Sequence, residues 1–314
     1  MAERTITRSP GPGTGPGALP EIEHGDELVD RVVDWFRGAA RDLPWRRPDA
    51  SPWAVMVSEF MLQQTPVARV LPVFEAWLTR WPTPAALAAA PVGEAVRAWG
   101  RLGYPRRAQR LHAAATAIEE DFDGVVPDTY EDLWALPGVG EYTAGAIASF
   151  AYRKRHIVLD TNVRRVLSRT VSGVEYPAPA TTPADRRIAT ALLPDGAADA
   201  AEWAAASMEL GAVVCTARAP RCADCPVLSL CTWVAAGKPA YDGPPRRGQT
   251  YEGTDRQARG RLLAVLRDTH GSVPREELEA AWTRDAAQRE RALTSLVADG
   301  LVVALAGERF ALAH

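Results

Sequence analysis

No apolar run in this 314-residue chain approaches the ~20 residues that a membrane-spanning helix requires. The N-terminus also lacks the charged-then-apolar pattern of an export signal, so a cytoplasmic protein with no membrane partner is expected. Cysteine is scarce: Cys215, Cys222, Cys225 and Cys231 are all there are, and they share one loop. That excludes a scaffold held together by scattered disulfides. An excess of positive charge is missing too, since 36 Lys and Arg against 39 Asp and Glu leave a net charge of −3. By itself this argues mildly against a nucleic-acid binder. Lysine is rare, so nearly all the cations are arginine, and they cluster. One group is Arg101, Arg106, Arg107 and Arg110, a second is Arg153, Lys154, Arg155, Arg164, Arg165 and Arg169, and a third is Arg218 and Arg221. Each cluster reads first as a solvated face and second as a set of phosphate contacts.

What is present is a large apolar content, 47% of residues, enough to bury a sizeable core in two or three units. Residues 1–24 are rich in Gly and Pro and read as a disordered tail. From Asp26 onward apolar residues recur three and four apart (Leu28, Val29, Val32, Val33, Phe36), the stripe of an amphipathic helix. Ser51-Pro52 opens a second helix and Thr65-Pro66 a third, and further helices are expected near 84–99 and 106–121. Asp128 with Glu131 has the spacing of a capping box. No convincing strand occurs before residue 236, so the fold class is all-α. A Gly, Pro, Arg and Tyr-rich stretch over 237–254 reads as a linker. Beyond it, helical patterns at about 255–269, 274–282 and 286–298 precede two short apolar runs around a turn at Gly307, the order of a small winged-helix-like module over 255–314.

Three features carry chemistry. Leu136-Pro137-Gly138-Val139-Gly140 is a hairpin whose glycines tolerate unusual backbone angles, letting N–H groups converge at the next helix N-terminus to hold a phosphate. Asp160, ahead of Thr161-Asn162-Val163, is either an N-cap or a catalytic carboxylate. Glu59 lies in an otherwise apolar helix, on a narrow polar edge or in a low-dielectric pocket; in a pocket, desolvation would raise its pKa to suit a general acid. Gln63 and Gln64 follow it and offer amide groups to base edges, or to solvent. The cysteines, spaced six, two and five apart, suit a metal or cluster. A single Cys-x-x-Cys flanked by wider gaps favours a [4Fe-4S] cluster over structural zinc. Such a cluster would shape its loop and hold Arg218 and Arg221 out towards phosphates.

Taken together, Ser58-Glu59-Phe60-Met61-Leu62-Gln63-Gln64-Thr65, Leu102-Gly103-Tyr104, the hairpin, Leu159-Asp160-Thr161-Asn162-Val163 and the cysteine spacing resemble the adenine-specific mismatch DNA glycosylases, the MutY family. The likeness spans about residues 28–232. It implies a helix-hairpin-helix DNA glycosylase fold: a six-helix barrel over about 48–160 and an iron–sulfur helical module made of about 25–47 and 161–236. The N-terminal helix would pack beside the helices after Asp160. The implied substrate is double-stranded DNA with adenine opposite 8-oxoguanine or guanine, and the implied enzyme a monomer, nucleoid-associated in a bacterium. Glu59 would protonate adenine at N7, and Asp160 would stabilise or trap the oxocarbenium-like sugar. Asn162 and Tyr142 would position these groups, Trp45 and Arg46 would hold the base, and Tyr104 and Gln64 would enter the duplex, whereas a plain core tyrosine is the ordinary alternative for Tyr104. Gly138, Val139 and Gly140 would grip the backbone.

Tyr142 stands where endonuclease III-like relatives carry a Schiff-base lysine, which implies a monofunctional glycosylase. Two departures from the resemblance stand out. Pro105 replaces a second tyrosine, and residues 255–314 are too short and too helical for the larger C-terminal domain that typical members use to grip 8-oxoguanine. The rival readings are an endonuclease III-like or thymine-mismatch glycosylase, and a cluster-stabilised DNA-binding protein without catalysis.

Overall fold

The computed structural model describes residues 21–243 and 251–313. The expected tail therefore lies outside the described residues up to residue 20, and the linker over 244–250. Helix α1 (Gly25–Ala39) opens the described chain and carries the expected stripe, with Leu28, Val32 and Val33 buried. A short 3-10 turn at Pro44–Arg46 leads to α2 (Pro52–Leu62), which starts on a Ser51 side-chain cap with Pro at its first position. Every residue from Trp53 to Met61 in α2 is buried, so this helix is wrapped on all sides.

Next come α3 (Val67–Arg80), α4 (Pro84–Ala88), α5 (Val92–Trp99) and α6 (Arg106–Asp121). The single helix expected over 84–99 is two, because Pro91 cannot continue a helix and serves as the N-cap residue of the second. Helix α7 (Tyr130–Ala135) begins one residue later than the capping pattern suggests. Thr129 Oγ1 accepts the Asp132 N–H at 3.1 Å and donates to Asp132 Oδ2, while Asp128 pairs with Lys154 at 2.6 Å. The hairpin then joins α7 to α8 (Glu141–Tyr152). Helices α9 (Thr161–Thr170), α10 (Pro183–Ala191), α11 (Ala197–Val213) and α12 (Thr232–Ala235) follow.

Past the linker the order is α13 (Asp255–Asp268), β1 (Val273–Pro274), α14 (Arg275–Ala281), α15 (Ala286–Ala298), β2 (Val302–Leu305) and β3 (Arg309–Leu312). The strands form one antiparallel sheet in the order β1-β3-β2, with Val302 opposite Leu312 and Val273 opposite Phe310. This is the winged-helix order expected from sequence, with the two-residue β1 added. Among the described residues no helix is long and apolar enough to cross a membrane.

The described residues form two compact units, 21–40 with 155–242, and 41–154 with 243 and 251–313. In the first, α1 lies beside α11, where Arg37 clamps Glu202 through two hydrogen bonds of 2.9 and 2.8 Å, and Leu28, Val32, Val166, Trp203 and Leu210 share a core. In the second, α2 packs on α8 within a core centred on Trp77, edge-on to Trp81 and Trp99. The division falls at 154/155 where the sequence suggests 160, so Asp160 belongs with the cysteines. It falls at 40/41 where the sequence suggests 47/48, so Trp45 and Arg46 belong with Glu59. The C-terminal module shares the core of the second unit.

Candidate active site

In the unit that holds α2, Glu59 is 5% exposed in a helix buried from Trp53 to Met61, so the side chain is withdrawn from solvent and not set along a solvated edge. The segment after α2 turns sharply at Gln64 (φ +56°), and the loop before α6 turns at Tyr104 (φ +47°). One buried side chain ties the two turns together. Arg107 donates through Nη1 to the carbonyls of Phe60, Met61 and Gln63 at 2.8, 3.0 and 2.6 Å. Through Nη2 it donates to Thr65 Oγ1 and to the Leu102 and Gly103 carbonyls at 2.9, 3.4 and 3.0 Å. Trp99 Nε1 adds a 3.0 Å bond to the Gly103 carbonyl. The Glu59 helix and the Tyr104 loop are thus fixed by carbonyls no longer available to a regular helix.

The hairpin is asymmetric. Gly138 has φ +77°, and an added Cβ would lie 2.5 Å from Arg110 Cβ, so conformation and space both demand glycine. Gly140 is extended (φ −101°) and serves as the N-cap residue of α8, with nothing within 4 Å of the place a Cβ would occupy. The expectation of two left-handed glycines therefore holds for Gly138 alone, and the open side of Gly140 is where a ligand's backbone can approach the α8 N-terminus. Tyr142 lies in the first turn of that helix.

In the other unit, Asp160 is the N-cap of α9: its Oδ1 accepts the Val163 N–H at 2.6 Å. Its Oδ2 accepts from Asn162 Nδ2 at 2.7 Å. Burial pushes the Asp160 carboxyl above its ordinary value, against the opposing pull of those hydrogen bonds and of the Arg165 charge. Arg165 donates to Asn162 Oδ1 at 2.8 Å, to the Cys215 carbonyl at 2.7 Å and to the Gly211 carbonyl at 2.5 Å. Arg169, 1% exposed, reaches Cys215 Sγ at 3.3 Å and the Thr216 carbonyl at 2.8 Å, with its guanidinium 4.8 Å from the Trp233 ring. A continuous polar path therefore runs from Asp160 through Asn162 and Arg165 to the cysteine loop. Gly211 is what lets α11 come so close, because a Cβ there would lie 2.7 Å from both Asn162 Cβ and Asn162 O.

All four cysteines line one cavity together with Arg169, Leu210, Pro220 and Trp233. Among the described residues no three His, Cys, Asp or Glu converge as they would on a single metal ion.

Residues 57–186 match the HhH-GPD superfamily of base excision DNA repair proteins. The chain is 57% identical over 281 residues to an adenine DNA glycosylase of Mycobacterium tuberculosis, covering 90% of this chain and 92% of that one. The human adenine DNA glycosylase is 42% identical over 208 residues, 64% of this chain and 38% of its own. The chain belongs to the adenine DNA glycosylase family. Of solved structures, a thermostable thymine-DNA glycosylase superposes with a TM-score of 0.61 at 25% identity over 68% of this chain and 97% of that one. An endonuclease III–DNA covalent intermediate gives a TM-score of 0.57 at 22% identity over 68% and 96%, and shares the fold. A match over 90% of this chain cannot omit residues 255–314, about a fifth of it, so the mycobacterial glycosylase shares at least part of the short C-terminal module.

The remaining sequence-predicted residues of this glycosylase lie in varied settings. Trp45 is 7% exposed and edge-on to Phe74 at 5.1 Å, which makes it a core residue of the Glu59 unit, with Arg46 beside it half-buried. Arg218 and Arg221 are both exposed, and Arg221 also donates to the Val213 carbonyl at the end of α11. Tyr104 is 37% exposed, which removes the core-tyrosine alternative. Pro105 replaces no needed donor, since it stands at the N-cap of α6. The arginines that matter most, Arg107, Arg165 and Arg169, read as solvated faces in the sequence and are 4%, 8% and 1% exposed. Arg165 and Arg169 share α9 with Arg164, Ser168 and Thr170, and every residue from Val163 to Thr170 is buried there, whereas Arg107 lies in α6.

Proposed function

We infer that this chain excises adenine from double-stranded DNA when it is mispaired with 8-oxoguanine or guanine, hydrolysing the N-glycosidic bond and leaving an abasic site. The observation that carries the reading is the Asp160 carboxylate, set at a helix N-terminus and aligned by Asn162, in a chain 57% identical to an adenine DNA glycosylase. A stacked adenine is unreachable and must first be flipped out, at a cost of a few kcal/mol that is lower for a mispaired base. Glu59 donates its carboxyl proton to adenine N7. The C1′–N9 bond then breaks with its electron pair going to the base, and the deoxyribose becomes oxocarbenium-like. Asp160, ionised, stabilises that cation or bonds to C1′, and a water oxygen completes the hydrolysis while its proton returns to a carboxylate. The buried setting of Glu59 supports an acid shielded from water, and the N-terminal field of α9 supports an anionic partner.

Tyr142 offers a phenol where a lyase needs an amine, so no Schiff base forms. Accordingly, the product strand stays intact until alkali is added. Strand cleavage during the reaction itself, at the rate of base loss, would contradict the monofunctional reading. The exposed Tyr104 and Gln64 turns stack in and probe the duplex, and Gly138 to Gly140 receive a phosphate at the N-terminus of α8.

Cys215, Cys222, Cys225 and Cys231 would hold a [4Fe-4S] cluster, a reading supported by their shared cavity and by their spacing of six, two and five residues. When bound, the cluster supplies four iron–thiolate bonds that fix the loop. Arg169 and Arg165 then tie that loop to α9 and so to Asp160.

A further inference from the structure

We propose that Arg256, from the C-terminal module, neutralises a DNA phosphate beside the base step at which Tyr104 stacks, making the module part of the lesion-reading surface. The proposal rests on the reading of this chain as a DNA glycosylase, and it assigns a task to residues 255–314.

The module is docked firmly enough to serve that purpose. Gly93 in α5 receives its C-terminal strand so closely that an added Cβ would lie 2.3 Å from the Ala313 carbonyl oxygen. Gln109 donates to the Gly300 carbonyl at 2.7 Å, Arg106 pairs with Asp299 at 3.3 Å, and Arg267 donates to the Val96 carbonyl at 3.0 Å. Apolar side chains of both partners, Leu262 and Leu266 among them, lie in one core.

That docking places the first turn of α13 at the Tyr104 loop. The guanidinium carbon of Arg256 lies 4.5 Å from the Tyr104 ring centroid and 5.9 Å from that of Tyr251, and Tyr251 is 53% exposed. Tyr104 cannot retreat into the core, because Arg107 and Trp99 grip the carbonyls just before it and its own backbone is held at φ +47°. A bulky residue fixed in that region at the surface marks a functional site more often than a structural one. Two exposed aromatic rings with an arginine over both form the combination that grips nucleic acid: faces on which bases stack, and a cation at the distance of the adjoining phosphate.

The obvious alternative in a winged-helix order is the third helix, α15. Its cations Arg289 and Arg291 face Glu279 at 3.0 Å and Asp255 at 3.5 Å, and what singles out the first turn of α13 is the pair of exposed rings, Tyr104 and Tyr251, beside Arg256.

The test uses the full chain, a duplex carrying adenine opposite 8-oxoguanine, and affinity measured at several salt concentrations. Arg256→Gln is expected to weaken binding about tenfold and to reduce the slope of log affinity against log salt by about 0.9, the value for one phosphate. Arg256→Lys is expected to restore the slope and only part of the affinity, since it keeps the charge without the planar stack. Arg261→Gln, an exposed arginine further along α13, is expected to bind as the parent does. Unchanged affinity and slope in Arg256→Gln, with a parental melting curve, would reduce Arg256 to packing. If that variant melts early, Arg256→Lys decides: a slope lost there as well would overturn the phosphate contact. All of these read binding alone. A parent chain that bound the duplex yet released no adenine would sink the activity reading and leave this proposal standing.

Discussion

Asn162 donates to Asp160 at 2.7 Å and accepts from Arg165 at 2.8 Å, so the amide that aligns the carboxylate is itself aligned by an arginine anchored on the Cys215 carbonyl. The cap and the carboxylate proposed to act in catalysis are one side chain. The N-cap keeps Asp160 in place, and burial raises the free energy of its ionised form.

Asp160→Asn keeps an N-cap acceptor but loses the charge. Adenine release should fall about a thousandfold or more, the scale of losing an electrostatic stabiliser, with mismatch binding still measurable. The effect on stability should depend on pH. Because the folded value for Asp160 lies above the unfolded one, the folded state is penalised for ionising it as pH rises through that interval, and the penalty persists at neutral pH. The difference in melting between variant and parent should therefore shift in the variant's favour as pH rises from the ordinary aspartate value of about 3.9 towards neutrality, on top of a constant loss of the Asn162 bond to Oδ2. In the parent, release should rise with pH along a limb that lies above that value. Unchanged release in the variant would demote Asp160 to a cap.

Arg107→Met removes a buried cation that satisfies six oxygen acceptors at the end of α2 and in the Tyr104 loop. A loss of about 3 kcal/mol or more is expected by chemical denaturation, since several buried acceptors are left without their donor. Burial holds the Arg107 guanidinium down to about 10, still well above neutrality, so the charge is present throughout the working range. A variant with parental stability and parental adenine release would show that neither turn depends on it.

Gly211→Ala would force α11 away from Asn162, since a Cβ there meets Asn162 backbone and side chain at 2.7 Å. Overpacking of this kind costs about 1–3 kcal/mol. Adenine release should fall further than mismatch binding, because the displaced group is the one that aligns Asp160. Equal losses in the two measurements would mean that the clash unsettles the unit as a whole.

How much of this is legible in the sequence differs by element. The α1 stripe, the proline-started α2, the Leu136–Gly140 hairpin and the winged-helix order are local patterns of spacing and turn chemistry, and the structure follows them. Boundaries moved where a neighbouring residue competed: Thr129 over Asp128 for a cap, Pro91 against a continuous helix. The buried arginines were not legible, because most of their partners are carbonyls 44 to 50 positions away in the sequence, and a charge cluster looks the same whether solvent or backbone surrounds it. The role of Gly211 is hidden for a similar reason: in a helix of small residues nothing local marks the one that another helix touches.

Cys225→Ser tests the four-cysteine site. The parent chain, purified without oxygen, should carry iron and sulfide with a broad visible charge-transfer absorbance that the variant loses. A colourless, zinc-loaded parent would remove the cluster.

The most direct test of the central claim is single-turnover release of free base from four duplexes: adenine opposite 8-oxoguanine, adenine opposite guanine, thymine opposite guanine, and an oxidised pyrimidine opposite guanine. Free adenine from the first two, and nothing from the others, is the predicted result. Release of thymine or of the oxidised pyrimidine, with adenine left in place, would contradict it.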